Sequence, residues 1–259
     1  YRGPHRGDDA GLAYALDAAE TMGSACRNGR TIAGLFVESM LSCGGQIPLP
    51  DGYLAAVADH ARHAGGLYIA DEVQVGFGRL GEWFWGFEQQ GVVPDIVAVA
   101  KSIGAGHPIG AVITRREIAD RYRTQGYFFS STGGSPVSAA IGLAVLDVID
   151  QEGLQHNARV VGTHLKRRLE ALAENHPLVG AVHGAGLYLG VEFVRDRVTL
   201  EPATEETAAI CDRLLTLGVI MQPTGDYQNV LKIKPPLCVS LESVDYFVDS
   251  LDRVLSTGW

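Results

Sequence analysis

Two short apolar runs, Gly66-Leu-Tyr-Ile-Ala70 and Asp95-Ile-Val-Ala-Val-Ala100, constrain this chain more than any other feature. Each is too short for a helix and lacks the polar alternation of a half-exposed strand, so each reads as a buried strand of a parallel sheet. The first runs into Asp71-Glu72-Val73-Gln74 and the second into Lys101, within Ala-Lys-Ser-Ile-Gly-Ala-Gly-His-Pro-Ile-Gly-Ala. A carboxylate and an amine are thus delivered to the carboxyl ends of strands, where open α/β sheets bind ligands. Burying either charge costs on the order of several kcal/mol unless something charged or covalent compensates it.

Around this pair the sequence alternates helix and strand patterns. A helix is expected around Leu12–Met22, then a strand over Thr31–Glu38. Asp51 is placed to cap a helix through Leu54, Val57 and His60 that stops at Gly65-Gly66. A further strand is expected over Ile109–Thr114. Strand-helix-strand alternation with short links predicts an α/β fold, a largely parallel sheet wrapped by helices. After Pro136 the pattern changes: two helices, to about Ile149 and from about Glu152 to Asn175, then strands over Leu178–His183 and Leu187–Phe193. A helix over Thr204–Leu217, strands near Val219–Met221 and Val230–Ile233, and a last helix to Leu255 complete an α+β unit. The expected division is therefore a first domain over residues 1–150 and a second over 151–259.

The 259 residues carry a net charge of −9, which argues against a nucleic-acid surface built from clustered Lys and Arg. No apolar stretch of membrane-spanning length is present. The four cysteines, Cys26, Cys43, Cys211 and Cys238, have no CxxC spacing and read as reduced packing residues of a cytoplasmic protein. His60 and His63 lack an evident third ligand, so no metal site is expected. Arg167-Arg168 reads as a solvated helix face. The first residues, Tyr1-Arg-Gly-Pro-His-Arg-Gly-Asp-Asp, hold no signal-peptide core and begin without Met, which suggests a fragment. A dinucleotide-binding oxidoreductase is a further reading of the α/β pattern, but Ser39-Met-Leu-Ser-Cys-Gly-Gly after the first strand is not the Gly-rich fingerprint it needs, which argues against it.

Pyridoxal phosphate would satisfy both charges at once: its aldehyde takes Lys101 as a Schiff base and its protonated ring nitrogen takes Asp71. Flanked by apolar residues, Lys101 is expected to be desolvated toward the neutral amine, able to move a proton at a substrate carbon. The alternative for Lys101 is a solvent-exposed strand-end lysine, and for Asp71 a helix cap or loop carboxylate. Gln74 can reach the ring hydroxyl or stand as an exposed amide. Glu38 faces substrate or pairs with an arginine such as Arg79. Ser130-Ser-Thr-Gly-Gly-Ser-Pro136 offers hydroxyls and backbone N–H groups ahead of a helix, a setting suited to phosphate. His107 either shapes the Lys101 loop or serves as a turn residue before Pro108.

Taken together, these motifs resemble the class III aminotransferases, pyridoxal-phosphate enzymes of fold type I. The match runs through Glu38, Asp71-Glu-Val-Gln-Val-Gly-Phe-Gly-Arg-Leu-Gly81, Pro94-Asp95, Lys101–Ala111 and Gly133-Gly-Ser-Pro136. It continues through Gly184-Ala-Gly-Leu187 and Asn229-Val-Leu-Lys-Ile-Lys-Pro-Pro-Leu237, and so covers essentially the whole chain. The resemblance implies a partial large domain over residues 1–150 and a small domain over 151–259. It implies that Lys101 bonds the cofactor, Asp71 pairs with its ring nitrogen and Gln74 contacts the ring oxygen. Ser131 and Thr132 fall where the family contacts the cofactor phosphate of a neighbouring subunit, which implies a homodimer with shared active sites. Lys232 stands where many members have a carboxylate-binding Arg, and a lysine is a point charge rather than a fork. His183 likewise replaces a common Arg.

The Lys-Ile-Lys-Pro-Pro-Leu phrase and the first seven residues look closest to the ethanolamine-phosphate and phosphohydroxylysine phospho-lyase branch. The activity implied first, because it is the one that names the family, is transfer of an amino group from an amine or amino acid to a 2-oxo acid. The alternative is elimination of phosphate and ammonia from a phosphorylated amino alcohol or amino acid. A third reading, from another class, is a truncated, non-catalytic dimerisation module. By the resemblance, the Gly-Ser loop that cradles the cofactor phosphate and an aromatic that stacks on the ring belong to a region upstream of Tyr1.

Overall fold

The computed structural model describes residues 3–259; Tyr1 and Arg2, which open the phrase resembling the phospho-lyases, lie outside the described residues. The chain forms two compact units. The first comprises residues up to Ser39, Leu49–Phe77 and Trp85–Glu152; the second comprises Met40–Pro48, Gly78–Phe84 and Gly153–Trp259.

In the first unit, α1 (Ala10–Arg27) precedes β1 (Gly34–Glu38), α2 (Tyr53–His63), β2 (Leu67–Asp71) and β3 (Ile96–Val99). Then follow β4 (Ala111–Thr114), α3 (Arg116–Gln125) and α4 (Pro136–Gln151). The sheet runs β1-β2-β3-β4. The pairs β1–β2 and β2–β3 are parallel, and β4 is antiparallel to β3. The largely parallel sheet expected from the alternation thus ends in one reversed strand, because the glycine-rich turn after Lys101 folds the chain straight back. Gly104 makes that turn possible, since a Cβ there would lie 2.5 Å from Ile109 Cγ2.

Leu54 and Ala58 of α2 pack on Tyr68 and Ala70 of β2, with Val92 closing the cluster. The opposite face of the sheet is less covered, and Phe36 on it is 60% exposed. The expected burial on both faces is therefore met on one face only. Asp51 does not cap α2: Gly52 occupies the N-cap position in the left-handed conformation, with no side-chain hydrogen bond. Helix α3, which the sequence pattern did not predict, carries no buried residue.

The second unit holds α5 (Leu154–Asn175), β5 (Val179–Ala185), β6 (Tyr188–Asp196), β7 (Glu201–Pro202) and α6 (Thr204–Thr216). It continues with β8 (Pro223–Thr224), β9 (Val230–Ile233) and α7 (Leu241–Thr257). The sheet order is β5-β6-β9-β8, antiparallel throughout, with β7 on β6. Leu189, Val191 and Phe193 of β6 and Leu231 and Ile233 of β9 bury one sheet face against α5, α6 and α7. The strand expected at Val219–Met221 forms later, at Pro223–Thr224, where the ladder to β9 supplies partners.

The Gly184-x-Gly-Leu187 phrase is explained by close approach. A Cβ on Gly186, whose φ is +55°, would sit 2.4 Å from the Leu80 carbonyl carbon, and one on Gly162 of α5 would sit 2.3 Å from Gly186. Three backbone segments meet there with no room for a methyl group. Arg168 is not merely solvated: it donates to Asp245 and Asp249 of α7, at 2.5 and 2.6 Å. Of the cysteines only Cys211 is buried; Cys26, Cys43 and Cys238 are exposed, so three are not packing residues.

Candidate active site

The parallel register places Glu38 of β1, Asp71 of β2 and Ala98 of β3 side by side in one row across the sheet. They share the face opposite α2, because residues paired across parallel strands point the same way. Asp71 Oδ1 accepts from Val73 N at 3.0 Å, an Asx-type turn that ends the strand. Its Oδ2 makes no hydrogen bond among the described residues. Gln74 is half-buried on the same turn.

Lys101 follows β3 and opens a 3₁₀ turn, Lys101–Gly104. Its φ is +46°, in the left-handed region, a conformation that costs an unbranched non-glycine residue roughly 1 kcal/mol or more. Such strain persists where the surroundings over-determine the backbone, here the interior strand β3 before it and a reversing loop after it. The Lys101 side chain is exposed and its amine makes no hydrogen bond or ion pair among the described residues. The desolvation expected at Lys101 is therefore not provided by the described residues, which leave the amine open to solvent.

Helix α4 packs on the Lys101 turn. Gly142 lies against Ile103 and Ile109, where a Cβ would make ordinary contact at 3.6–3.8 Å. His107 Nε2 lies 2.9 Å from Ser138 Oγ, in the first turn of the same helix, so His107 links the Lys101 loop to that helix start. Ser135 caps α4 with Pro136 at its first turn. Ser131 and Thr132 are exposed in the loop before it, where Ser130 Oγ accepts from Gly133 N at 2.9 Å.

Glu72 received no role from the sequence, yet it is fully buried. Its carboxylate accepts from Ser39 Oγ at 2.5 Å, Gly86 N at 2.7 Å and Phe87 N at 3.0 Å. Burial pushes its pKa up, the three donors pull it back, and the Asp71 charge adds to the rise. Tyr68, beside Ser39, has its phenol pushed up to about 12 by burial, and its hydroxyl lacks a well-placed hydrogen-bond partner among the described residues. The available signal for Glu72 was its place directly after a buried strand, before Gly76 and the Trp85-Gly-Phe87 run.

Lys232 lies in the second unit on β9, paired with Gly190, which also pairs with His183 of β5. The three share a sheet face. His183 Nε2 lies 3.1 Å from Glu192 Oε2 on that face. Arg79 also belongs to the second unit, where Nη1 donates to the carbonyls of Pro235 and Leu187, at 2.7 and 3.3 Å. Burial lowers its pKa to about 10, which leaves it charged at neutral pH.

A mixed, largely parallel sheet with helices, together with an antiparallel α+β unit, is the fold of pyridoxal-phosphate-dependent transferases of fold type I, here a partial large domain and a small domain. Within that class the chain belongs to the class-III aminotransferase family, whose profile matches residues 8–255. It is 46% identical over 258 residues to "Alanine--glyoxylate aminotransferase 2 homolog 2, mitochondrial" of Arabidopsis thaliana, a match covering 99% of this chain and 52% of that protein. It is 36% identical over 270 residues to "Ethanolamine-phosphate phospho-lyase homolog 1" of Caenorhabditis elegans, covering 99% and 58%. Among solved structures, a phospholyase from Arthrobacter in complex with phosphoethanolamine superposes with a TM-score of 0.92 at 36% identity, covering 96% of this chain and 59% of that one. The chain thus spans about half the length of the relatives it matches. Pyridoxal 5'-phosphate is the cofactor of the family. No helix among the described residues is long and apolar enough to cross a membrane.

Proposed function

We propose that Lys101, Asp71 and Gln74 hold pyridoxal 5'-phosphate in an aminotransferase that moves an amino group from an amine or amino acid to a 2-oxo acid. The observation carrying this reading is the placing, after adjacent parallel strands, of an amine on a strained backbone and a carboxylate oxygen, Asp71 Oδ2, neither of them hydrogen-bonded among the described residues. The donor set fits the cofactor: an amine for its aldehyde, a carboxylate for its ring nitrogen, an amide for its ring hydroxyl. When bound, the cofactor supplies an electron sink for a substrate carbon that loses a proton. The Lys101 amine takes that proton and returns it. The Asp71 carboxylate would lie beside the ring nitrogen and hold its positive charge in place.

Residues 1–150, apart from Met40–Pro48 and Gly78–Phe84, which group with the second unit, then act as the partial cofactor-binding domain and 151–259 as the small domain. Ser131 and Thr132 serve a phosphate through exposed hydroxyls, and Glu38 and Lys232 contact substrate. We place the partner as a second copy of this chain. Tyr127, Phe128 and Phe129, each at least 70% exposed, with Val137 and Leu143 of α4, make an apolar surface that favours such burial. The scattered cysteines favour a reducing compartment, the cytoplasm in our reading, although two relatives carry "mitochondrial" in their names.

The phospho-lyase reading is favoured by a specific observation, the 0.92 TM-score against the phosphoethanolamine-bound phospholyase. Lysine at position 232, a point charge, also suits a substrate without an α-carboxylate fork. The full-length protein should be given an amine with a 2-oxo acid and, separately, ethanolamine phosphate. Nitrogen transfer without phosphate release supports the aminotransferase; phosphate release without transfer rejects it for the lyase. A protein that retains no aldimine absorbance once excess pyridoxal phosphate has been removed supports the non-catalytic module.

A further inference from the structure

A buried carboxylate contributes little to stability that a well-packed apolar side chain could not, so the burial of Glu72 calls for another reason. Its three donors come from two separate segments, Ser39 at the end of β1 and Gly86-Phe87 in the 3₁₀ turn Gly86–Gln90. The cage around it is built tightly. A Cβ on Gly86 would lie 2.7 Å from Val75 Cγ2, 2.8 Å from Ser39 Cβ and 3.2 Å from Glu72 Oε1. A Cβ on Gly76 would lie 3.0 Å from Glu72 O and 3.1 Å from the Trp85 ring. The backbone of Glu72 is held as well, its N–H donating to Ala98 O of β3 and its carbonyl accepting from Gly76 N. The turn Asp71–Gly76 is thereby clamped on both sides, and it carries Asp71 Oδ2 and the Gln74 amide.

We infer that Glu72 is the positioning residue of the cofactor turn: its buried carboxylate, tied to Ser39, Gly86 and Phe87, fixes where Asp71 and Gln74 stand. The inference rests on the pyridoxal-phosphate reading above. Glu72 touches neither cofactor nor substrate and acts only through the turn. Loss of one of its oxygens as an acceptor lets the turn relax, and Asp71 meets the ring nitrogen at a poorer angle.

The test uses the full-length protein with pyridoxal 5'-phosphate as the probe, in wild type, Glu72→Gln, Ser39→Ala and Asp95→Asn. Asp95→Asn weakens the same unit away from the turn and serves as the stability control. In the cofactor-free protein, Glu72→Gln should speed hydrogen exchange at the Val73 and Gly76 amides more than Asp95→Asn does. In the loaded protein it should raise the cofactor dissociation constant about tenfold, the scale of one misaligned charge-assisted hydrogen bond, and shift the pH midpoint of the visible absorbance. Ser39→Ala should move each readout in the same direction by less. If Glu72→Gln and Ser39→Ala lower the melting temperature as Asp95→Asn does but leave exchange, affinity and pH midpoint unchanged, Glu72 is only a packing residue and the inference is overturned. A wild-type protein with no cofactor absorbance overturns the pyridoxal reading and, with it, the role given to Glu72 toward the cofactor. Unchanged exchange at Val73 and Gly76 overturns the clamp itself.

Discussion

Replacing Asp95 by alanine tests whether the site-bearing sheet is held by the groups that the structure assigns to it. Asp95 is 7% exposed, at the entry to β3. Its Oδ2 accepts from the buried Tyr68 N at 2.9 Å and from Arg62 Nε at 3.2 Å, and its Oδ1 accepts from Arg115 Nη2 at 2.8 Å. Alanine leaves the Tyr68 N–H buried and unpaired, a cost of about 1–3 kcal/mol. The arginine side chains are 36% and 61% exposed, so water replaces their partner and each loss is about 0–1 kcal/mol. The backbone bonds, Asp95 N to Tyr68 O and Thr114 Oγ1 to Asp95 O, survive. The sum is about 1–5 kcal/mol, which corresponds to a ~5- to 5,000-fold loss of hydrogen-exchange protection. Mass-resolved exchange of the peptide over residues 66–71 reads this locally, which matters because a chain of two units need not unfold in one step. Asp95→Asn retains one acceptor and should lose about half as much. Protection within threefold of wild type in the alanine variant would refute the assignment, since the Tyr68 amide would then have another partner.

Further outcomes follow from other positions. Lys101→Ala should abolish the visible absorbance of pyridoxal-phosphate-loaded protein while leaving its melting temperature within a few degrees, because the side chain is exposed and unbonded; a spectrum that persists would remove Lys101 from its proposed role. Gly186→Ala should destabilise the second unit by about 3 kcal/mol or more, because the new methyl meets backbone atoms at 2.4–2.6 Å that cannot yield; urea midpoints measure it. Ser240→Ala removes the N-cap of α7, whose Oγ accepts from Ser243 N at 3.2 Å, and should cost about 1 kcal/mol in the same titration. The raised pKa of Glu72 means the folded chain binds more protons than the unfolded one between the ordinary glutamate value and the native value. Its contribution is fully present below the unfolded pKa and is lost as pH rises through the native one. Glu72→Gln should therefore flatten the fall in local stability across that window. Asp245 and Glu206, whose pKa values are lowered by His164 and by Arg195 respectively, act in the opposite sense and lose stability as pH falls. An unaltered profile in the glutamine variant would count against the buried-carboxylate assignment.

The legible part of this molecule was the part written locally. Leu67–Ala70 and Ile96–Val99 were readable as strands because apolar runs between turn residues have few other uses, and their observed ends fall within a residue or two of those expected. The Gly65 stop, the Pro136 start and β9 at Val230–Ile233 were equally local. What escaped depends on partners far away in the chain. The Glu72 carboxylate looked like any loop charge because its donors lie 14 to 33 residues distant. Arg168 looked solvated because its aspartates are 77 and 81 residues on. Val219–Met221 had strand composition, but the ladder formed two residues later at a proline.

By itself, then, the sequence determined the order of elements, the family through its ordered motifs, and the placing of Asp71 and Lys101 at consecutive strand ends. Those properties follow from backbone periodicity and from residue types that tolerate few conformations. Only the tertiary structure decided that β4 runs antiparallel, that Met40–Pro48 and Gly78–Phe84 join the second unit, and that Lys101 is exposed on a left-handed backbone while Glu72 is sealed. Burial and hydrogen-bond satisfaction are properties of neighbours in space, and a one-dimensional pattern does not specify which distant donors will meet a given carboxylate.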